Sequence, residues 1–120
     1  MSAASALARS VMMPSELDSL TKHGFSNDEI YKIVAPRRTL ARRKANNEQF
    51  SDVEADRVFR LQRIVEMAER IFADPDRAHR WLRKENRALN KAIPLELLET
   101  ERGAHIVEEE LYRIDFGMFA

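Results

Sequence analysis

Apolar residues recur along this chain three and four positions apart rather than two, the period of a helix with one buried face. Polar residues and prolines punctuate the pattern. Pro14 or Ser15 opens a first short helix, with Leu17 and Leu20 on one side and Gly24 as its stop. Ser26 and Glu29 have the spacing of a capping box and predict a second helix with Ile30, Ile33 and Val34 on its apolar face. Pro36 ends that helix or begins the next, which runs to about Ala45. After the polar stretch Asn46 to Gln49, Ser51 and Glu54 repeat the capping box. They open the longest helix, about 52–73, with Val58, Leu61, Val65, Ala68 and Phe72 on one face. Phe59 falls on the opposite side, near Arg63 and Arg70; it is either covered by a loop or meets a second module or subunit. Asp74-Pro75 starts a helix carrying Ala78, Trp81 and Leu82. Ile93-Pro94 begins a short turn that reaches Leu98, and Thr100 caps a last helix with Ala104, Val107, Leu111 and Ile114 inward. No strand alternation, repeat or low-complexity linker interrupts this order, so the fold class is all-α. The division between halves is expected near 46–51.

Composition narrows the class. Apolar residues are 44% and charged residues 33% of 120, which suits a folded soluble chain with a limited core. Without Cys there is no disulfide framework, thiolate metal site or Cys nucleophile, in keeping with a reducing, cytoplasmic setting. No apolar run approaches the ~18 residues of a membrane span. The start, MSAASALARSVMMP, lacks a charged region followed by a solid apolar one. Residues 1–13 therefore read as a flexible N-terminus, loose to about Val11. The net charge of zero hides an asymmetry. Residues 1–50 hold eight Lys/Arg against five Asp/Glu, and residues 51–120 hold twelve against fifteen. A basic front half suggests an anionic partner such as nucleic acid.

The basic charge concentrates in Arg37, Arg38, Arg42, Arg43 and Lys44. With Leu40 facing a core, Arg38, Thr39 and Arg42 lie on the far side of a helix at ~100° per residue. Arg37, Arg43 and Lys44 flank them. Such a helix suits a DNA major groove, its far side against base edges and its flanks against phosphates. The segment Ser26 to Val34, a turn at Ala35-Pro36 and this helix make a helix-turn-helix, with Ala35-Pro36 where a Gly is usual. The alternative is a solvated charged face.

Other chemistry is sparse. Glu101, His105 and Glu109 share a helix face at metal-ligand spacing, but beside Glu108 and Glu110 they read better as a solvated face. No Gly-rich phosphate loop or nucleophile motif is present. Trp81 reads as a core anchor. The residues point to no catalytic centre, no metal site and no cofactor, and so to a chain that is not an enzyme.

The order of small signals carries more. It begins with RTLARRK at 38–44, Ser51, Asp56-Arg57, Ala68, Phe72 and Asp74-Pro75. It continues with Ala78, Trp81-Leu82, Asn86, Ala88-Leu89, Pro94-Leu95, Leu98, Thr100, Gly103, Arg113-Ile114 and Gly117. In this order the chain, over about residues 14–120, resembles the Xre/MbcA/ParS-type antitoxins of RES–Xre type II toxin–antitoxin systems. It departs where the family has a Gly-rich turn before the Pro; here Asn90-Lys-Ala-Ile93 lacks that flexible turn and its hydroxyl cap.

The resemblance implies an Xre-like helix-turn-helix over 14–50 joined to a helical toxin-binding domain over 51–120. It also implies two partners, a RES-domain toxin that depletes NAD⁺ and operator DNA. The antitoxin occludes the toxin's active site and represses its own operon, as a homodimer within a larger complex. The expected DNA-binding residues are Arg37, Arg38, Thr39, Arg42, Arg43 and Lys44. The expected toxin-binding residues are Arg113, Ile114, Asp115, Phe116, Gly117, Met118 and Phe119. Phe116, Met118 and Phe119 have no following element to bury them, so this apolar terminus either folds back on its own domain or docks in a partner's cleft, and the resemblance favours the second. Two alternatives stand beside this: a helix-turn-helix regulator without a toxin, and a protein-interaction module without DNA binding.

Overall fold

A computed structural model describes residues 12–117, and the following statements concern those residues. The fold is all-α, with no strand; one isolated antiparallel bridge joins Asn86 and Ala92. A 3₁₀ turn at Pro14–Glu16 leads into α1, Leu17–Lys22. Then follow α2 (Asn27–Ile33), α3 (Arg37–Asn46), α4 (Asp52–Phe72) and α5 (Pro75–Arg83). A second 3₁₀ turn at Arg87–Leu89 precedes α6 (Pro94–Leu97) and α7 (Glu101–Gly117).

Local chemistry explains these boundaries. Ser26 forms a complete capping box with Glu29 at the start of α2. Ser51 and Glu54 do the same for α4, at 2.9 and 3.2 Å. Asp74 accepts from the Asp76 N–H, and Pro75 takes the first helical position, where its missing N–H is harmless. Gly24 stops α1 at φ 91°. Asn47, Ala73, Asn90 and Lys91 also take the left-handed conformation. The Asn90–Lys91 pair closes the turn in which the Asn86 N–H donates to the Ala92 carbonyl. The turn thus keeps a glycine-like path without glycine. Ile93 supplies no side-chain cap to α6.

The chain forms two compact units that divide after Phe59, within α4, beyond the polar stretch at 46–51 where the sequence placed the boundary. The reason is local: the first turns of α4 are held by the first unit. Glu54 pairs with Arg43, and Arg57 donates to the Val34 carbonyl. The first unit buries Leu20, Phe25, Ile30, Ile33, Val34, Leu40, Phe50 and Val58. Of the expected flexible segment 1–13, residues 1–11 lie outside the described ones. Met12 is buried, and its carbonyl accepts from the Phe50 N–H.

The second unit buries Leu61, Ile64, Val65, Ala68 and Ile71 of α4 with Ala78, Leu82, Leu98, Val107 and Leu111. Each large side chain taken fully from water contributes about 1.5–3 kcal/mol. Phe72 and Trp81 pack at 5.7 Å between ring centroids, with Trp81 half-buried as an anchor. Buried Arg60 donates to the Leu98 carbonyl and to Glu101, tying the α6–α7 corner to α4. At that corner a Cβ on Gly103 would lie 1.8 Å from the Leu97 carbonyl oxygen, so only glycine fits.

Candidate functional site

Helix α3 buries Leu40, half-buries Thr39 and Arg43, and exposes its other residues. Pro36 at φ −57° and ψ 151° sets the entry from α2. Arg37, Arg38, Arg42 and Lys44 are exposed and Thr39 is half-exposed. Arg37, Arg38 and Lys44 make no ion pair among the described residues.

Arg43 differs from the flanking role expected of it. Its Nε and Nη2 donate to the two Glu54 oxygens at 2.9 and 3.2 Å, and its Nη1 donates to Glu48 at 3.0 Å. A fork held by two carboxylates is committed inside the unit and is not poised for a phosphate. Burial pushes the Glu54 carboxyl up, but the Arg43 fork and the Ser51 N–H and hydroxyl outweigh it and hold the group below its ordinary range. The Asn46 amide, then Arg43 and Arg42, overcome desolvation to hold Glu48 low. The Glu54 hydrogen bond is the main reason that Arg43 is raised. The charge set available on α3 is therefore Arg37, Arg38, Arg42 and Lys44.

The last helix has the opposite character. Thr100 caps α7 by accepting from the Gly103 N–H at 2.9 Å. Ala104, Val107 and Leu111 face inward with Glu110. On the outer side Tyr112 and Phe116 stand one turn apart, 50% and 77% exposed, and Ile106 is 40% exposed. Arg113 pairs with Glu110 at 2.9 Å, and Asp115 lies 3.9 Å from Arg70. Ile114 is half-buried, Gly117 is exposed, and Met118 and Phe119 lie outside the described residues. Tyr112 and Ile106 were absent from the expected set. Their signal was present, since Tyr112 and Phe116 share a face four apart, away from Val107 and Leu111.

Of the metal-spaced set Glu101, His105 and Glu109, the first is held by two guanidinium groups. The Glu101 carboxylate accepts from Arg60 at 3.1 Å and Arg63 at 2.9 Å. Burial raises Glu101, and these two guanidinium groups more than reverse it. Among the described residues, no group of three or more His, Cys, Asp or Glu could hold a metal ion. No helix among them is long and apolar enough to cross a membrane.

Comparison with known proteins fits this arrangement. Residues 67–117 match the model of the antitoxin Xre/MbcA/ParS C-terminal toxin-binding domain. The chain is 34% identical over 101 residues to the antitoxin Xre of Pseudomonas putida, covering 84% of this chain and 64% of the relative. The chain belongs to the Xre/MbcA/ParS antitoxin family. The antitoxin Xre of Yersinia enterocolitica is 33% identical over 86 residues, 71% of this chain and 58% of the relative. The Prs ADP-ribosylating antitoxin of Sphingobium sp. is 31% identical over 91 residues, 68% of this chain and 57% of the relative. The chain thus spans about three fifths of the length of these antitoxins. The family's toxin-binding segment runs from within α4 to Gly117 and includes the exposed Ile106, Tyr112 and Phe116.

Proposed function

We propose that this antitoxin neutralises a RES-domain, NAD⁺-depleting toxin by seating the end of α7, and the residues that follow, in the toxin's active-site cleft. It acts by occlusion, without catalysis of its own, in the cytoplasm. The observation that carries this reading is the outward pair Tyr112 and Phe116 inside the matched toxin-binding segment. Two exposed aromatics one turn apart are an unsatisfied apolar surface of the kind that anchors an interface. Arg113 and Asp115 stand beside them as polar contacts for a cleft shaped to hold a dinucleotide. The name of the Sphingobium relative includes ADP-ribosylation, a reaction class that consumes the same dinucleotide. The second half of the proposal is operator binding through α2, the Ala35-Pro36 turn and α3. Its unpaired cations support it, and a homodimer would set the half-site spacing. The N-terminal helices and the exposed Phe59 are the candidate dimer surfaces.

The test is co-expression with the protein encoded by the adjacent gene, with complex recovery and cellular NAD⁺ as readouts. The native chain should form a complex and spare NAD⁺. Phe116→Asp should weaken capture at least ~30-fold, the scale of a hot-spot residue, with an unchanged helical signal. Deletion of 114–120 should abolish protection. Full protection by both variants would remove the end of α7 from the interface.

A further inference from the structure

The second unit carries a basic face that its net acidity conceals. Between Arg77 and Lys91 there are six Lys/Arg and one acid, Glu85. Five of the six, Arg77, Arg80, Lys84, Arg87 and Lys91, are exposed. These five make no ion pair among the described residues; the sixth, Arg83, is half-buried and donates to the His79 carbonyl. At ~100° per residue, Arg77 and Arg80 fall within about 60° of arc on α5, opposite buried Ala78 and Leu82, and Lys84 is the extended residue that ends the helix. Arg87 and Lys91 follow in a turn held by backbone bonds from the Lys91 N–H to Asn86 and the Ala92 N–H to Leu89. The cations are thus mounted on fixed backbone.

The face suits one kind of partner better than another. A protein interface is centred on buried apolar or aromatic anchors. No exposed large hydrophobic residue lies between 77 and 91; among the described residues of this unit they are on α7, at Ile106, Tyr112 and Phe116. A phosphate backbone needs only cations in a row; here two exposed carboxylates, Asp76 and Glu85, stand beside five exposed cations, so the segment stays net positive. We infer that the α5 face and its following turn form a second, sequence-independent contact with nucleic-acid phosphates, in addition to any contact made by α3. This extends the DNA-binding half of the proposal but stands or falls separately from α3.

The experiment measures binding of the full chain to duplex DNA, the promoter fragment and an unrelated sequence, as a function of salt. Each phosphate contact adds about 0.9 to the slope of log affinity against log salt. Arg77→Gln with Arg80→Gln and Lys84→Gln should lower that slope by about 2–3 on both sequences. The charge-keeping set Arg77→Lys, Arg80→Lys and Lys84→Arg should preserve it. Unchanged circular dichroism guards against misfolding. A parallel Arg38→Gln, Arg42→Gln variant separates the two readings: if only it loses affinity, the α5 inference is overturned and α3 stands. If only the α5 variant loses it, the α3 reading fails and this one holds. No DNA binding by the native chain at low salt would overturn both. An α5 variant with an unaltered slope that fails to retain the co-expressed toxin would overturn it in favour of an acidic protein surface.

Discussion

A methyl group at position 103 would sit 1.8 Å from the Leu97 carbonyl oxygen and 2.7 Å from its carbon. Both are backbone atoms, so the corner between α6 and α7 must open to admit it. Gly103→Ala should therefore cost about 3 kcal/mol, measured by urea unfolding; a loss below about 0.5 kcal/mol, the range of neutral surface changes, would mean that the close approach is not maintained. In the sequence Gly103 was visible only as a member of a family-like order, because the atom that forbids a side chain is contributed by another segment. Lys91 teaches the same at a turn. It takes φ 67° after Asn90 at φ 55°, so the turn that lacks glycine in sequence still follows the path glycine would allow.

At the scale of elements, the link between α3 and α4 decides what the basic helix offers. The capping box of Ser51 and Glu54 was legible because its partners are three residues apart. That Glu54 also receives the Arg43 fork was not, since those residues are eleven apart and meet only when the chain reverses at Asn47, φ 51°. The pairing has a pH signature. Glu54, Glu48 and Glu101 are held below their ordinary range in the fold. The stability they contribute is therefore full above the unfolded carboxyl value of about 4.3. It is lost as pH falls through that value toward the lower folded ones. Urea midpoints should drop between neutral pH and pH of about 3.5. Glu54→Gln should lower the midpoint at neutral pH and reduce that drop, because Gln accepts a hydrogen bond but carries no charge for Arg43. A variant as stable and as acid-sensitive as the native chain would show that the fork contributes little.

For the whole molecule, the proposal assigns separate work to separate ends. Arg38→Gln with Arg42→Gln should weaken promoter binding by about tenfold or more, at ~1–3 kcal/mol per base-reading contact, and leave NAD⁺ protection intact. Phe116→Asp should do the reverse in the same two assays. Loss of both activities by either variant would contradict the division. Sequence alone settled the helical class, the caps, the inward faces of α2, α4 and α7, and the family-like order of the second half. These rest on interactions within about four residues, which periodicity and side-chain type report directly. Tertiary structure alone decided the rest: that Arg43 is spent on Glu54 while Arg37 and Arg38 stay free, and that the compact units divide after Phe59. It also showed a basic face at 77–91 within an acidic half. Charge counts average over a segment, whereas pairing and exposure depend on which distant residues the fold brings within ion-pair distance.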